Sequence, residues 1–305
     1  MLTFILRRLL FMPLVLLILI TLSFFIMRLA PGSPFTTEKN VSDEVLQKLN
    51  EKYNLDGSIP EQFGEYLLDL VQFDLGPSTK HKDKDVSEIL GHHFPTSALL
   101  GASAITLALI VGLSAGIIAG IRQNSLFDYT SMAGAMTGLS VPLFVVGPML
   151  VLVFALYLGW FDVAGWDDWK DLVLPAVTLS LPFAARIARL TRAGMLEVIH
   201  QDYIRVARAK GLREQVVVVR HALKGALLPV VSFLGPGVAQ VLTGSLVVEK
   251  IFGVPGIGRE FVESGLNRDY FLAMGIVILY GTLLILFNLV VDVLYGFLDP
   301  RIRFE

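Results

Sequence analysis

The residue types that usually do chemistry are few in this chain and poorly spaced for it. The histidines are His81, His92, His93, His200 and His221. His92 and His93 would hold a metal only if both rings met one ion. Adjacent residues on a helix point in different directions, so a solvated loop pair is the stronger reading. No His-Glu-x-x-His occurs, and no lysine is followed by serine or threonine. A phosphate-cradling loop ending in Gly-Lys-Ser/Thr is therefore missing. There is no cysteine, which excludes disulfides, thiolate metal sites and cysteine nucleophiles. The sequence predicts no catalytic residues, no metal site and no cofactor held by the chain itself.

The pattern that remains is mechanical. In "EVIHQDYIRVARAKGLREQVVVVRHALKGALLP", from Glu197 to Pro229, the residues Ile199, Tyr203, Ile204, Val206 and Ala207 fall at helical spacing, with Arg205 and Arg208 pointing elsewhere. Arg205, Arg208 and Lys210 crowd the last turns before Gly211. Cations favour the negative end of a helix, and glycine accepts the left-handed turn that stops it. The spacing predicts an amphipathic helix ending at Gly211, a second helix at a sharp angle, and Pro229 opening an apolar span. Such a protrusion suits an anionic lipid surface or a cytoplasmic partner.

The elements that position this stretch are apolar. The chain of 305 residues is 54% hydrophobic and 17% charged, against about 25% charged in soluble domains. A transmembrane helix needs about 20 mostly apolar residues. The candidates are Leu9–Met27, Ala98–Ile121, Ser131–Phe161, a weak fourth from Leu172 to about Leu190, Ala226–Val248 and Phe271–Val291. The fourth holds Pro175 and Pro182 and then meets Arg186.

Charge placement supports the fourth span. Lysine and arginine gather on the cytoplasmic side. With six spans and both termini inside, the cytoplasmic segments hold 14 of the 25 basic residues and six acidic ones, whereas the outside segments hold 10 basic and 20 acidic. Nine of the inner cations lie in 186–225. Arg7 and Arg8 before an apolar run resemble a secretory signal, but the run is long and Pro31 follows Ala30, so it reads as a retained first helix.

Two outside segments carry further signals. In 31–97, "SDEVLQKLNEKYNL" places Val45, Leu46, Leu49 and Tyr53 on one helical face, and "PEQFGEYLLDLVQ" does so with Phe63, Tyr66, Leu67 and Leu70. These predict a small cap, either a packing subdomain or a docking surface. The segment 249–270, "EKIFGVPGIGREFVESGLNRD", reads as a tightly turned loop. Its Ile251, Phe252, Val254 and Ile257 should dip into the protein or meet a partner. Within the second span, Ala104, Ala108, Gly112, Gly116 and Gly120 make a flat seam for close helix approach. The spans are nearly free of ionisable groups, with Arg28 and Asp292 at their ends, which argues against an ion-driven transporter.

"DYIRVARAKGL" with "RHALKGALLP" resembles the coupling loop of binding-protein-dependent ABC importer permeases, in the oligopeptide and dipeptide branch. Ala207 fits the second alanine of that family's Glu-Ala-Ala segment, Gly211 its glycine and Pro229 its later proline. Arg205, Lys210 and Lys224 depart from the general pattern. "ILRRLL", "RLAPGSPF", "LFDYT", "FGVPGIGREFV" and "NRDY" extend the likeness over essentially the whole chain, in the layout of a B-type subunit of an oligopeptide importer. The resemblance implies an all-α membrane protein, a type I importer bundle like that of a methionine importer, in a bacterial inner membrane. Residues 1–97 would form the first helix and an outer insertion, and 98–305 a five-helix core with the coupling loop at about 186–225.

The resemblance also implies partners. They are a second homologous permease, one or two ABC ATPases using ATP and Mg, an external peptide-binding protein, a peptide cargo and the bilayer, with no nucleic acid. Glu197, Asp202, Tyr203, Arg205, Ala207, Arg208, Ala209, Lys210 and Gly211 would couple to the ATPase. Phe252, Gly253, Pro255, Gly256 and Ile257 would face the binding protein. Dipeptides, murein peptides, glutathione or nickel are alternative cargoes within the family; a secondary transporter is the alternative outside it.

Overall fold

The computed structural model describes residues 2–29, 47 and 56–298, and every regular element in them is helical. The helices are α1 (Leu2–Leu29), α2 (Ile59–Val71), α3 (Val86–Ile121), α4 (Leu126–Ser140), α5 (Leu143–Tyr157), α6 (Val173–Ile199), α7 (Asp202–Ala209), α8 (Glu214–Ala226), α9 (Leu228–Leu242), α10 (Leu246–Phe252), α11 (Ile257–Asn267) and α12 (Tyr270–Leu298). The stretch 42–55, expected as the first cap helix, lies outside the described residues apart from Gln47. The second cap helix is α2. Ser58 and Glu61 close a capping box at its start, and Phe63, Tyr66, Leu67 and Leu70 pack on Ile20, Phe24 and Met274.

α1, α3, α6 with its lead-in, and α12 are long and apolar enough to cross a membrane, while α4–α5 and α8–α9 qualify as bent pairs, at 107° and 55°. Contact register shows which way each runs. A Cβ added to Gly112 would lie 2.7 Å from the Ala184 carbonyl oxygen, and one on Gly120 would lie 2.5 Å from Met195 Cβ. Residue numbers rise together, so α3 and α6 are parallel. The chain must therefore cross back between them, and α4–α5 is the only helical segment available there. Against α9 the order inverts, since Gly101 meets Val241 while Ala108 clusters with Val230. α1 and α12 are also antiparallel, with Phe24 beside Met274 and Arg8 paired with Asp292 at 3.0 Å. Six crossings result, and the two outermost helices close at the same end of the bundle.

Several boundaries differ from the sequence expectation. The second span begins at Val86, not Ala98, because three amphipathic turns precede its apolar run. The third is broken at Val141–Pro142, where α4 ends and Pro142 caps α5. The fifth ends at Leu242, and Val248 belongs to α10. The fourth, expected to be short, is continuous to Ile199, so Arg186, Arg189 and Arg192 stand on a helix and not in a loop. The small-residue seam of α3 is what seats α6. Ala104, Ala108, Gly112, Gly116 and Gly120 are all buried, and a Cβ on any of the three glycines would collide with α6. This is packing within the subunit.

Candidate functional site

At one end of the bundle the chain makes an elbow. α6 stops at Ile199, and His200 places Nδ1 2.8 Å from the Leu196 carbonyl oxygen. Gln201 is extended, so α7 starts afresh at Asp202. The single helix expected from Glu197 is thus two, and Glu197 belongs to α6. Asp202 sits in the first turn of α7, where the helix dipole favours a carboxylate. Ile204 and Ala207 are buried with Met195, Val217, Val218, Ala222 and Ala226. Tyr203, Arg205, Val206, Arg208, Ala209 and Lys210 are exposed. The apolar face is therefore narrower than the sequence suggested, since Tyr203 and Val206 lie outside it.

Gly211 ends this helix with φ +74°, and a Cβ there would meet nothing within 4 Å. The position requires glycine for its backbone conformation, not for space. Across the turn Arg208 grips Glu214 through Nη2–Oε1 at 2.7 Å and Nε–Oε2 at 3.1 Å. That hydrogen bonding holds Arg208 above its ordinary pKa. Arg205 and Asp202 are only 3.4 Å apart and exposed, so this pair adds little. α8 winds as a π-helix over Val217–Ala222; such winding is enriched at functional positions. The elbow is glued on one side and presents cations, a tyrosine and a valine on the other. That arrangement can receive a surface and transmit a push along α6.

At the opposite end, α10 and α11 form a knot around Glu249. Its Oε1 accepts from Ser97 Oγ at 2.7 Å and its Oε2 from the Arg259 N–H at 3.2 Å, while Ser97 Oγ accepts from the Ile257 N–H at 2.8 Å. Gly244, Gly256 and Gly258 approach the carboxylate so closely that none has room for a Cβ. Burial pushes the Glu249 carboxyl above the ordinary range, opposed by the hydrogen bonds from Ser97 and the backbone. Phe252, Gly256 and Ile257 are buried, whereas Gly253 and Pro255 are exposed. The apolar residues of this segment thus turn into the protein. What this end exposes is Gly253, Pro255 and, on α11, Phe261 and Leu266.

The histidine pair lies on the first turns of α3, not in a loop. His92 is exposed, and His93 Nδ1 is 3.1 Å from the Pro255 carbonyl oxygen. His81 Nε2 is 3.1 Å from Glu260 Oε2. No cluster of three or more metal-ligating side chains occurs among the described residues. The expectation that the chain has no Gly-x-Ser-x-Gly is wrong, since Gly112-Leu-Ser-Ala-Gly116 is one. It has the letters of a nucleophile elbow, but it lies in mid-helix on the α6 seam, without the strand-to-helix turn that chemistry needs. Glu249 was also not singled out, because its partners come from residues far away in sequence.

Comparison with known proteins follows this geometry. A family model described as "Binding-protein-dependent transport system inner membrane component" matches residues 112–304, and its N-terminal companion matches residues 1–101. The chain is 53% identical to the oligopeptide transport system permease protein OppB of Salmonella typhimurium, over 100% of both chains. It is 43% identical to the dipeptide transport system permease protein DppB of Bacillus subtilis, over 98% of this chain and 97% of that one. It is 38% identical to the glutathione transport system permease protein GsiC of Pectobacterium atrosepticum, over 100% of both. Among solved structures, an amino acid ABC transporter aligns with TM-score 0.52 and 15% identity, over 74% of this chain and 95% of that chain. The MetNI methionine ABC transporter, facing inward, aligns with TM-score 0.50 and 18% identity, over 69% and 96%. These two speak to the fold alone.

Proposed function

The chain belongs to the family of binding-protein-dependent transport system inner membrane components, and from that premise we propose that it is the permease subunit of an ATP-driven bacterial importer of peptides, oligopeptides above all. The full-length likeness to oligopeptide permeases carries this reading. The chain itself has no phosphate-binding Gly-Lys-Ser/Thr loop, so hydrolysis belongs to partner ATPases with their ATP and Mg. A second permease completes the pathway and an external binding protein delivers the cargo.

In this reading the α7 elbow is the coupling element. Asp202, Tyr203, Arg205, Arg208 and Lys210 offer the exposed face, Ala207 and Gly211 fix its shape, and Glu197 ends the helix above it. Closure of the ATPases pushes α7 and, through the Met195 cluster, α6. Gly253 and Pro255 lie at the face that receives the binding protein. Both termini are cytoplasmic. Since the chain has no native cysteine, Asp168→Cys reports topology directly: we expect labelling from outside only, and labelling from the cytoplasm alone would invert the bundle.

The functional test is reconstitution. The chain is co-purified with its native partners and placed in proteoliposomes with ATP inside and binding protein outside. Labelled peptide should enter only with ATP and ATPase subunits present. Uptake without them would support the secondary-transporter reading instead.

A further inference from the structure

Arg186 stands where a cation is difficult to keep. It lies near the middle of α6 and is level with Gly112 of α3, which meets Ala184 and Ile187. At about 1.5 Å per residue, that level is about 15 Å from Arg122 and about 21 Å from Ala98 along α3. Arg186 is exposed on this chain. Its Cζ lies 5.2 Å from the centre of the Phe233 ring, and among the described residues no carboxylate pairs with it. Arg192, two helical steps further on, differs sharply: its Nη2 is 2.8 Å from Oδ2 of the buried Asp128. Arg192 is thus a structural tie, and Arg186 has no such carboxylate.

A guanidinium at this depth does not face lipid; it faces water or protein. Arg186 lines a cavity with room for water. It has a volume of about 300 Å³ and is walled by Leu139 and Leu143, by Phe233 and Gln240, and by Gly244. Leu139 and Leu143 flank the α4–α5 break at Val141–Pro142, and Gly244 lies in the break after α9. Irregular backbone at membrane depth is tolerated where it lines a cavity. One interrupted helix, the end of a second and one unpaired cation therefore converge on one space. Phe183, its ring tilted against that of Phe233 with centroids 6.0 Å apart, gives the same cavity an apolar wall.

We infer that this cavity is a transit site for the cargo and that Arg186 binds a carboxylate of the passing peptide. The inference rests on the peptide-import reading above. The volume fits about one or two residues, so a longer peptide threads through it in part. The guanidinium stands over the Phe233 ring, and its planar fork of donors suits two-point binding of a carboxylate. The carboxylate comes from the peptide's C-terminus or from an acidic side chain.

The test uses the assembled transporter in proteoliposomes with saturating binding protein. Uptake is compared for a free-acid peptide, its C-terminal amide, and an amide carrying one glutamate. Any selectivity of the binding protein is common to all variants and cancels in the ratio. We expect the native complex to prefer the acid over the plain amide by about tenfold, given the strength of charge-assisted pairing. Arg186→Gln should erase the preference, and Arg186→Lys, which keeps the charge but not the two-point geometry, should keep only part of it. Rescue by the glutamate-bearing amide identifies a side-chain carboxylate as sufficient; no rescue identifies the C-terminus.

An unchanged preference in Arg186→Gln overturns the inference, as does its failure to co-purify with the second permease, which would make Arg186 an interface residue. If both peptides are lost in Arg186→Gln and lysine does not restore them, the role is structural. If the native complex imports no peptide at all, it is the peptide-import reading that fails.

Discussion

The two ends of the bundle use glycine for opposite purposes. At the Glu249 knot Gly244, Gly256 and Gly258 are there because a side chain would strike the Glu249 carboxylate or its backbone frame. At the α7 elbow Gly211 has open space all round and is needed only for its φ of +74°. One end is compressed around a buried, hydrogen-bonded acid. The other is a turn, glued on one face and free on the other. The difference teaches where the molecule is built to hold shape and where it is built to be moved. Damage to the knot should appear as loss of folded protein, and damage to the elbow as loss of coupling in protein that is otherwise intact.

The largest effect should come from Glu249→Ala. It leaves the Ser97 hydroxyl and the Arg259 N–H without their acceptor and opens a void among three glycines. A loss of about 3 kcal/mol is expected, read as a several-fold drop in membrane accumulation and a lower Tm in detergent. Normal accumulation and Tm would show that the knot carries no stability, and the contrast would collapse.

Gly211→Val should act in the other way. A β-branched residue in the left-handed region costs about 1 to 3 kcal/mol, and the surrounding space adds no clash. The chain should reach the membrane in normal amounts, keep its Tm within a few degrees, and lose both peptide uptake and the stimulation of ATP hydrolysis by the binding protein. A variant that fails to accumulate would make the elbow structural like the knot.

The smallest effect is expected for Arg208→Ala. The pair with Glu214 is bidentate but exposed, and such pairs contribute about 1 kcal/mol or less. Uptake should fall less than about fivefold. Complete loss in this variant, with Gly211→Val unimpaired, would mean that the elbow works by charge and not by shape.

Much of this architecture was legible in the sequence. The apolar runs and the placement of lysine and arginine gave six crossings, and the four-residue spacing of Ala104 to Gly120 marked the α3 seam. Cations followed by Gly211 marked the elbow. What escaped has a physical cause in each case. The 107° break at Val141–Pro142 sits inside a run that is apolar on both sides, so hydropathy does not show it, and only Pro142 marks it in the sequence. α10 and α11, of 7 and 11 residues, are too short for periodicity to distinguish from a glycine-rich loop. Glu249 meets Ser97 across 152 positions, a contact that only the folded bundle creates. Arg186 looked like the end of a span because α6 is stabilised by what encloses it.

That enclosure has a consequence for how the molecule is made. α6 with its lead-in has a mean hydropathy of 1.4, the lowest of the four unbroken spans, and 56% of its apolar window is buried, the highest. The first span is the reverse, at 2.9 and 11%. A segment with three arginines gains little from lipid and much from the glycine groove of α3. Its residence in the bilayer is therefore a property of the assembled bundle and not of the segment. Chain order suits this dependence, because during synthesis α3 leaves the ribosome well before α6, and the groove is in place when the helix that needs it arrives.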